Sequence, residues 1–221
     1  MTHEMLEMVE FAENPEPRCA CVLLLDTSSS MDGEKIHALN QGVEAFKDAL
    51  LEDSLASRRV EVAIISFNSK VELIQDFVTV DKFDPPTLIA QGRTEMGAAI
   101  LEALRLIKLR KETYKRHGTL YYRPWVLLIT DGEPTDSIDQ AAKDVHKAED
   151  DKEVVFFAVA VEGADMEKLK KIAPNHRPPK RLKELAFQEL FVWLSKSMQV
   201  ISRSAPDEQI TLPPTDGWSV I

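Results

Sequence analysis

Ala20-Cys21-Val22-Leu23-Leu24-Leu25-Asp26-Thr27-Ser28-Ser29-Ser30 decides the fold. Six apolar residues run without a break into an aspartate and three serines. A short run that is apolar at every position fits a strand covered on both faces, as in a parallel sheet. The same pattern recurs at Trp125-Val126-Leu127-Leu128-Ile129-Thr130, which ends at Asp131 and the turn Asp131-Gly132-Glu133-Pro134. Val60–Phe67 and Val154–Val161 read as two further buried strands. Residues 70–78 read as a short strand that turns back on the second one through Asn68-Ser69.

Between the strands the apolar period changes to that of a helix. Ile36, Leu39, Val43, Phe46 and Leu50 recur at three- and four-residue steps over 34–51. A long amphipathic helix is expected from Gly97 to about Arg116, with Ile100, Leu101, Leu104 and Ile107 inward. Others are expected from the Asp131 turn to about Ala148, over 165–173, and over 186–204. Strands alternating with helices predict an α/β fold: a doubly wound, mostly parallel central sheet with one antiparallel edge strand and helices on both faces. Residues 1–18, with Asn14-Pro15-Glu16-Pro17, read as an extended N-terminal lead-in, 19–204 as the domain, and 205–221 as a C-terminal tail packing back through Trp218.

The 221 residues carry 27 basic and 37 acidic side chains, a formal charge of −10. That balance argues against nucleic acid and against anionic membrane as partners. No apolar run is long enough to span a bilayer, and MTHEMLEMVEF has acids where a signal peptide would have Lys or Arg. A cytoplasmic location is expected. Cys19 and Cys21 share a strand face and read as small buried hydrophobes. The five histidines are scattered without H-x-H or H-x-x-x-H spacing, which argues against zinc.

Ligands of doubly wound sheets bind at the carboxyl ends of the strands, where strand order reverses. Asp26 and Asp131 are therefore expected at one rim. If the turn after Asp26 curls around a point, a carboxylate and the Ser28 and Ser30 hydroxyls converge there. Such hard oxygens suit Mg²⁺, Mn²⁺ or Ca²⁺. The competing reading is that the serines cap the next helix and that Asp131-Gly132 is a routine turn. Their order decides between the two: Asp-x-Ser-x-Ser after one buried strand, a loop threonine (Thr94) before the helix that starts near Gly97, and Asp-Gly after a later strand.

This order closely resembles the von Willebrand factor A (VWA) domain and its metal-ion-dependent adhesion site (MIDAS), from about Pro17 to the tail. The nearest likeness is to the bacterial stand-alone branch typified by TerY of tellurium-resistance clusters. It is carried by Asn14-Pro15-Glu16-Pro17, Cys21–Ser28, Asp131-Gly132-Glu133-Pro134-Thr135-Asp136 and Phe191-Val192-Trp193-Leu194-Ser195-Lys196-Ser197. The resemblance implies a metal site of Asp26, Ser28, Ser30, Thr94 and Asp131, holding Mg²⁺ with Mn²⁺ or Ca²⁺ as substitutes. A protein partner's acidic side chain would complete the coordination. It also implies a non-catalytic adaptor in a bacterial stress or tellurite system, beside a protein kinase and a metal-dependent Ser/Thr phosphatase. One departure is Ser29, where the family often has Gly; a demanding backbone angle is expected there.

Two alternatives remain. One is an assembly or remodelling factor for a larger complex. The other is a Mg²⁺-dependent phosphatase of the haloacid dehalogenase type, which would need an acid two residues after Asp26 where Ser28 stands. No G-x-S-x-G, P-loop or G-x-G-x-x-G appears. Glu133 and Asp136 read as helix-start acids, Arg93 as a solvated loop charge, and Lys168–Lys171 with Arg177–Arg181 as a charged helix face.

Overall fold

The computed structural model describes residues 9–206, 208 and 210–220. Seven strands form one sheet: β1 (Cys19–Asp26), β2 (Val60–Phe67), β3 (Val71–Thr79), β4 (Trp125–Thr130), β5 (Val155–Ala160), β6 (Lys180–Leu182) and β7 (Ser219–Val220). Their spatial order is β3-β2-β1-β4-β5-β6-β7. Pairing is parallel from β2 through β1, β4 and β5 to β6. It is antiparallel at β2–β3 and again at β6–β7. The mostly parallel sheet with its antiparallel edge is as expected. The second antiparallel pair comes from the tail, whose Trp218 is buried.

Six labelled helices surround the sheet: α1 (Glu34–Leu51), α2 (Ala56–Arg59), α3 (Met96–Arg116), α4 (Asp139–Asp150), α5 (Met166–Ile172) and α6 (Phe187–Arg203). The alternation of side chains along β1 sorts the core into two layers. Cys19, Cys21, Leu23 and Leu25 face Leu39, Val43 and Phe46 of α1 and Phe187, Leu190, Phe191 and Leu194 of α6. Ala20, Val22 and Leu24 face Ala99, Ile100 and Ala103 of α3, Ala141 and Val145 of α4, and Leu169 of α5. Every β1 residue is buried, and each fully buried leucine contributes roughly 1.5–3 kcal/mol. Helices α1 and α6 approach closely at Gly42, where an added Cβ would lie 2.5 Å from the Phe191 ring. On α3, Ala99, Ala103 and Leu106 join Ile100 and Ile107 inside, while Leu101 and Leu104 are only partly covered.

Both cysteines are unpaired and buried. Burial, reinforced by Glu61, pushes the Cys19 thiol up to about 12, and burial raises Cys21 well above its ordinary value. Both are packing groups.

Two expectations need correction. The lead-in over 1–18 is not uniformly extended: residues 1–8 lie outside the described set, and 9–13 are helical. Phe11 packs against Tyr114 and His117, and Glu10 pairs with Arg110 at 2.6 Å, so contacts with α3 hold this turn. The basic stretch near Arg177 is not a solvated helix face. Lys180–Leu182 is a strand, and Arg177 pairs with the buried Glu149. Among the described residues, no helix is long and apolar enough to cross a membrane.

Candidate metal centre

The chain runs from β1 outward through β2 to β3, then returns across the sheet to β4 on the other side of β1. Strand order therefore reverses between β1 and β4, which pair in parallel from Cys21–Trp125 to Leu25–Ile129. A crevice opens at their carboxyl ends. Asp26 ends β1 and Asp131 directly follows β4, so both carboxylates stand at this reversal.

The turn after β1 curls as the sequence requires. Ser28 N–H donates to Asp26 Oδ1 at 2.8 Å, closing an Asx turn, and a single 3₁₀ turn spans Ser29–Met31. The Ser28 side chain makes no capping bond, and α1 is preceded by Gly33, which has no side chain to cap it. The serine hydroxyls turn inward instead. Ser28 Oγ and Ser30 Oγ lie 3.0 Å apart, and Ser30 Oγ donates to Asp131 Oδ1 at 2.6 Å. Among the described residues, only Lys152 and Glu184 are non-glycines with positive φ, so Ser29 is unstrained and the expected difficulty there does not arise.

The third segment is the loop from β3 to α3. It is stitched to the turn by main-chain bonds from Ser29 N–H to Gly92 O at 3.1 Å and from Gln91 N–H to Thr27 O at 2.7 Å. Thr94 is held against the β4 turn by Thr135 N–H, which donates to Thr94 O at 2.9 Å. Gly132 reports how the pieces converge. A Cβ at that residue would lie 2.9 Å from Thr94 Oγ1 and 3.4 Å from Asp26 Oδ2. Both oxygens thus face a space that only glycine leaves open. The five expected residues come together as two carboxylates and three hydroxyls.

The electrostatics of Asp26 set it apart. Its carboxyl is pushed up to about 6, chiefly by burial; hydrogen bonds from Ser28 and Thr130 pull it down, and the neighbouring Asp131 raises it. Five carboxylates are buried among the described residues: Asp26, Asp53, Glu61, Asp131 and Glu149. Glu61 has Arg18 and Arg110, Glu149 has Arg123 and Arg177, Asp53 has Arg203, and Asp131 has Lys35. Asp26 has no basic partner among the described residues. A buried charge without a counter-charge is costly. The donors around it are oxygens only, which fits a hard divalent cation. Among the described residues, no cluster of three or more His, Cys, Asp or Glu could hold a metal ion; the candidate centre here is two carboxylates and three hydroxyls.

Residues outside the sequence expectation complete the surroundings. Thr130 Oγ1 donates to Asp26 Oδ2 at 2.5 Å and accepts from Gly132 N–H at 3.1 Å. Lys35 Nζ lies 2.5 Å from Asp131 Oδ2. Nothing in sequence marks Thr130 apart from other strand threonines, or Lys35 apart from other first-turn helix charges. Asp136 acts as a cap, but on α3 rather than on its own segment: it accepts from Gly97 N–H at 3.0 Å and Ala98 N–H at 2.8 Å. Glu133 and Arg93 are exposed.

A model of the von Willebrand factor type A domain matches residues 21–190. Among curated proteins, none matches the chain by sequence. The fold is similar to the solved von Willebrand factor type A protein from Catenulispora acidiphila, at TM-score 0.62 and 16% identity, covering 83% of this chain and 43% of that one. It is similar to the pilus adhesin SpaC from Lactobacillus rhamnosus GG, at TM-score 0.65 and 15% identity, covering 83% and 30%. It also resembles the ArnB paralog VWA2 from Sulfolobus acidocaldarius, at TM-score 0.55 and 17% identity, covering 82% and 45%. The chain spans less than half the length of these structures, and at such identities the likeness is one of fold. The family match over most of the chain, on a sheet whose order reverses between β1 and β4, shows that the protein belongs to the von Willebrand factor type A domain family, a family of protein-interaction modules.

Proposed function

We propose that this protein is a metal-dependent protein-binding module of the MIDAS type. Asp26, Ser28, Ser30, Thr94 and Asp131 would hold a divalent cation, Mg²⁺ first, with Mn²⁺ and Ca²⁺ suited to the same oxygens. The observation that carries the reading is Asp26: fully buried, flanked by hydroxyls and a second carboxylate, and without a basic partner among the described residues. A cation bound there supplies an open coordination position for a carboxylate oxygen of a partner protein. The chain's part is to hold the donors still. Thr130 fixes Asp26, Ser30 orients Asp131, and the main-chain bonds of Gln91 and Gly92 keep the Thr94 loop against the serine turn.

Ser28, standing two residues after Asp26, supports a binding role over phosphoryl transfer, because a hydroxyl cannot serve there as the general acid. We extend the reading to a cytoplasmic adaptor in a bacterial stress or tellurite-response system, with a protein kinase and a metal-dependent Ser/Thr phosphatase as partners. The resemblance of residues 191–197 to the TerY branch supports that extension. These residues lie on α6. Phe191, Trp193 and Leu194 are buried there, and the Ser195 and Ser197 hydroxyls donate to the carbonyls four residues before them.

The test combines melting and capture. Mg²⁺ should raise the melting temperature of the parent and leave Asp26→Ala unchanged. Capture of a partner should fall with EDTA and with Thr94→Ala. An Asp26→Ala protein that responds to Mg²⁺ like the parent would move the site elsewhere.

A further inference from the structure

Lys35 stands at the first turn of α1 and reaches across the crevice to the end of β4. Its Nζ lies 2.5 Å from Asp131 Oδ2, 3.0 Å from the Glu162 carbonyl and 3.3 Å from the Ser30 carbonyl. An ammonium has three donors, and here each finds an acceptor on a different segment. The side chain is only 25% exposed. Immobilising a lysine sacrifices much rotamer freedom, so a lysine held this way differs from a solvated surface charge. Gly163 helps to make the space. Its φ is +104°, and a Cβ there would lie 3.0 Å from the Asp131 carbonyl and 3.9 Å from Lys35 Nζ.

The arrangement divides Asp131 between two duties. Oδ1 faces the Ser30 hydroxyl and the hydroxyl cluster, while Oδ2 is taken by Lys35. It also changes the charge balance. Two carboxylates alone give the centre a charge of −2; with Lys35 it is −1. A divalent cation alone would bring two carboxylates to zero; with Lys35 the sum is +1. The ammonium therefore relieves the repulsion between Asp26 and Asp131 before any metal binds, and it repels the metal once it arrives.

We propose that Lys35 is a built-in counter-cation of this centre: it shares Asp131 with the metal, steadies the metal-free site and weakens the hold on the divalent ion. This inference rests on the reading of the five residues as a metal centre. In consequence the loaded centre carries a net positive charge, which favours an anionic partner group over a neutral one.

The experiment uses Mn²⁺ alone as the probe, on the parent, Lys35→Met, Lys35→Arg and Asp26→Ala. Melting in EDTA and calorimetric titration with Mn²⁺ at one pH are the two readouts. Lys35→Met should melt below the parent in EDTA and bind Mn²⁺ about tenfold more tightly, since a nearby like charge has been removed. Its melting temperature should therefore rise further on adding Mn²⁺. Lys35→Arg keeps the charge and should stay within about threefold of the parent affinity. Lys35→Gln, neutral and shorter, repeats the measurement should Lys35→Met fail to fold. Equal or weaker Mn²⁺ binding by the neutral variants would overturn the proposal; weaker binding would leave Lys35 as a positioning residue for Asp131 only. Unchanged melting in EDTA would overturn it as well. If the parent shows no Mn²⁺ binding and Asp26→Ala behaves identically, the metal reading itself fails, a result distinct from parent binding that is indifferent to Lys35.

Discussion

Asp26 and Glu61 are both fully buried carboxylates on neighbouring strands, yet they stand at opposite ends of the sheet and are treated in opposite ways. Glu61, near the start of β2, is enclosed by protein cations. Arg18 Nε lies 2.8 Å from Oε1, Arg110 donates to both oxygens at 2.8 and 2.9 Å, and the Tyr114 hydroxyl donates as well. Phe11 covers both guanidinium groups. Asp26, at the end of β1, has hydroxyls, one N–H and a second carboxylate. The fold can neutralise a buried acid completely, and does so at Glu61 and at Glu149. Where it leaves one without a cation, stability alone gives no reason for the residue. The metal of the proposed function would.

The contrast can be broken by mutation. The largest effect should come from Glu61→Ala, which strands Arg18, leaves Arg110 with Glu10 alone, and should cost about 3–5 kcal/mol, with or without Mg²⁺; denaturant melts in EDTA and in Mg²⁺ check this. Neutralising the other acid should do the reverse. The folded-state carboxyl of Asp26 is raised to about 6 from an ordinary 3.8. The folded form therefore holds its proton more tightly than the unfolded form. The stability this gives is fully present below the unfolded value and is lost as pH rises through about 6. On the order of 3 kcal/mol is at stake. In EDTA at pH 7–8, Asp26→Asn should therefore be more stable than the parent by up to that amount. The advantage should vanish toward pH 4, and the variant should gain nothing from Mg²⁺. Melting curves from pH 4 to 8 decide it, and a variant less stable than the parent at pH 8 would remove the contrast. The smallest effect should be that of Tyr114→Phe, which deletes one of several hydrogen bonds to Glu61. A loss of about 1 kcal/mol, equal in EDTA and Mg²⁺, is expected by the same melts.

The sequence made the candidate metal end more legible than the opposite end. Asp26, Ser28 and Ser30 follow an uninterrupted apolar run, and Asp131 follows another, so their placement comes from the strands and needs no knowledge of packing. The Ser28 hydroxyl, which could have capped a helix, turned out to face the other donors. Arg18 and Glu61 gave no such warning. A charged residue at the start of a strand reads as a surface group, and only the arrival of α3 with Arg110 and Tyr114 makes burial tolerable. Strands β6 and β7 have three and two residues, too few for any period to register. Lys35 and Asp136 escaped for a related reason. Each acts on a segment far away in the chain, Asp131 and the start of α3 respectively, where local pattern carries no information.

The position of β1 in the sheet has a mechanical consequence. It pairs with β2 along all eight of its residues and with β4 on its other side. In the proposed complex, tension from a partner would enter the chain at Asp26, the carboxyl end of this central strand. A pull along the strand stretches the ladder bonds on both flanks together, in shear. The same pull on the outer strand β3 would load a single ladder. The proposed attachment point thus sits on a strand held by ladders on both sides.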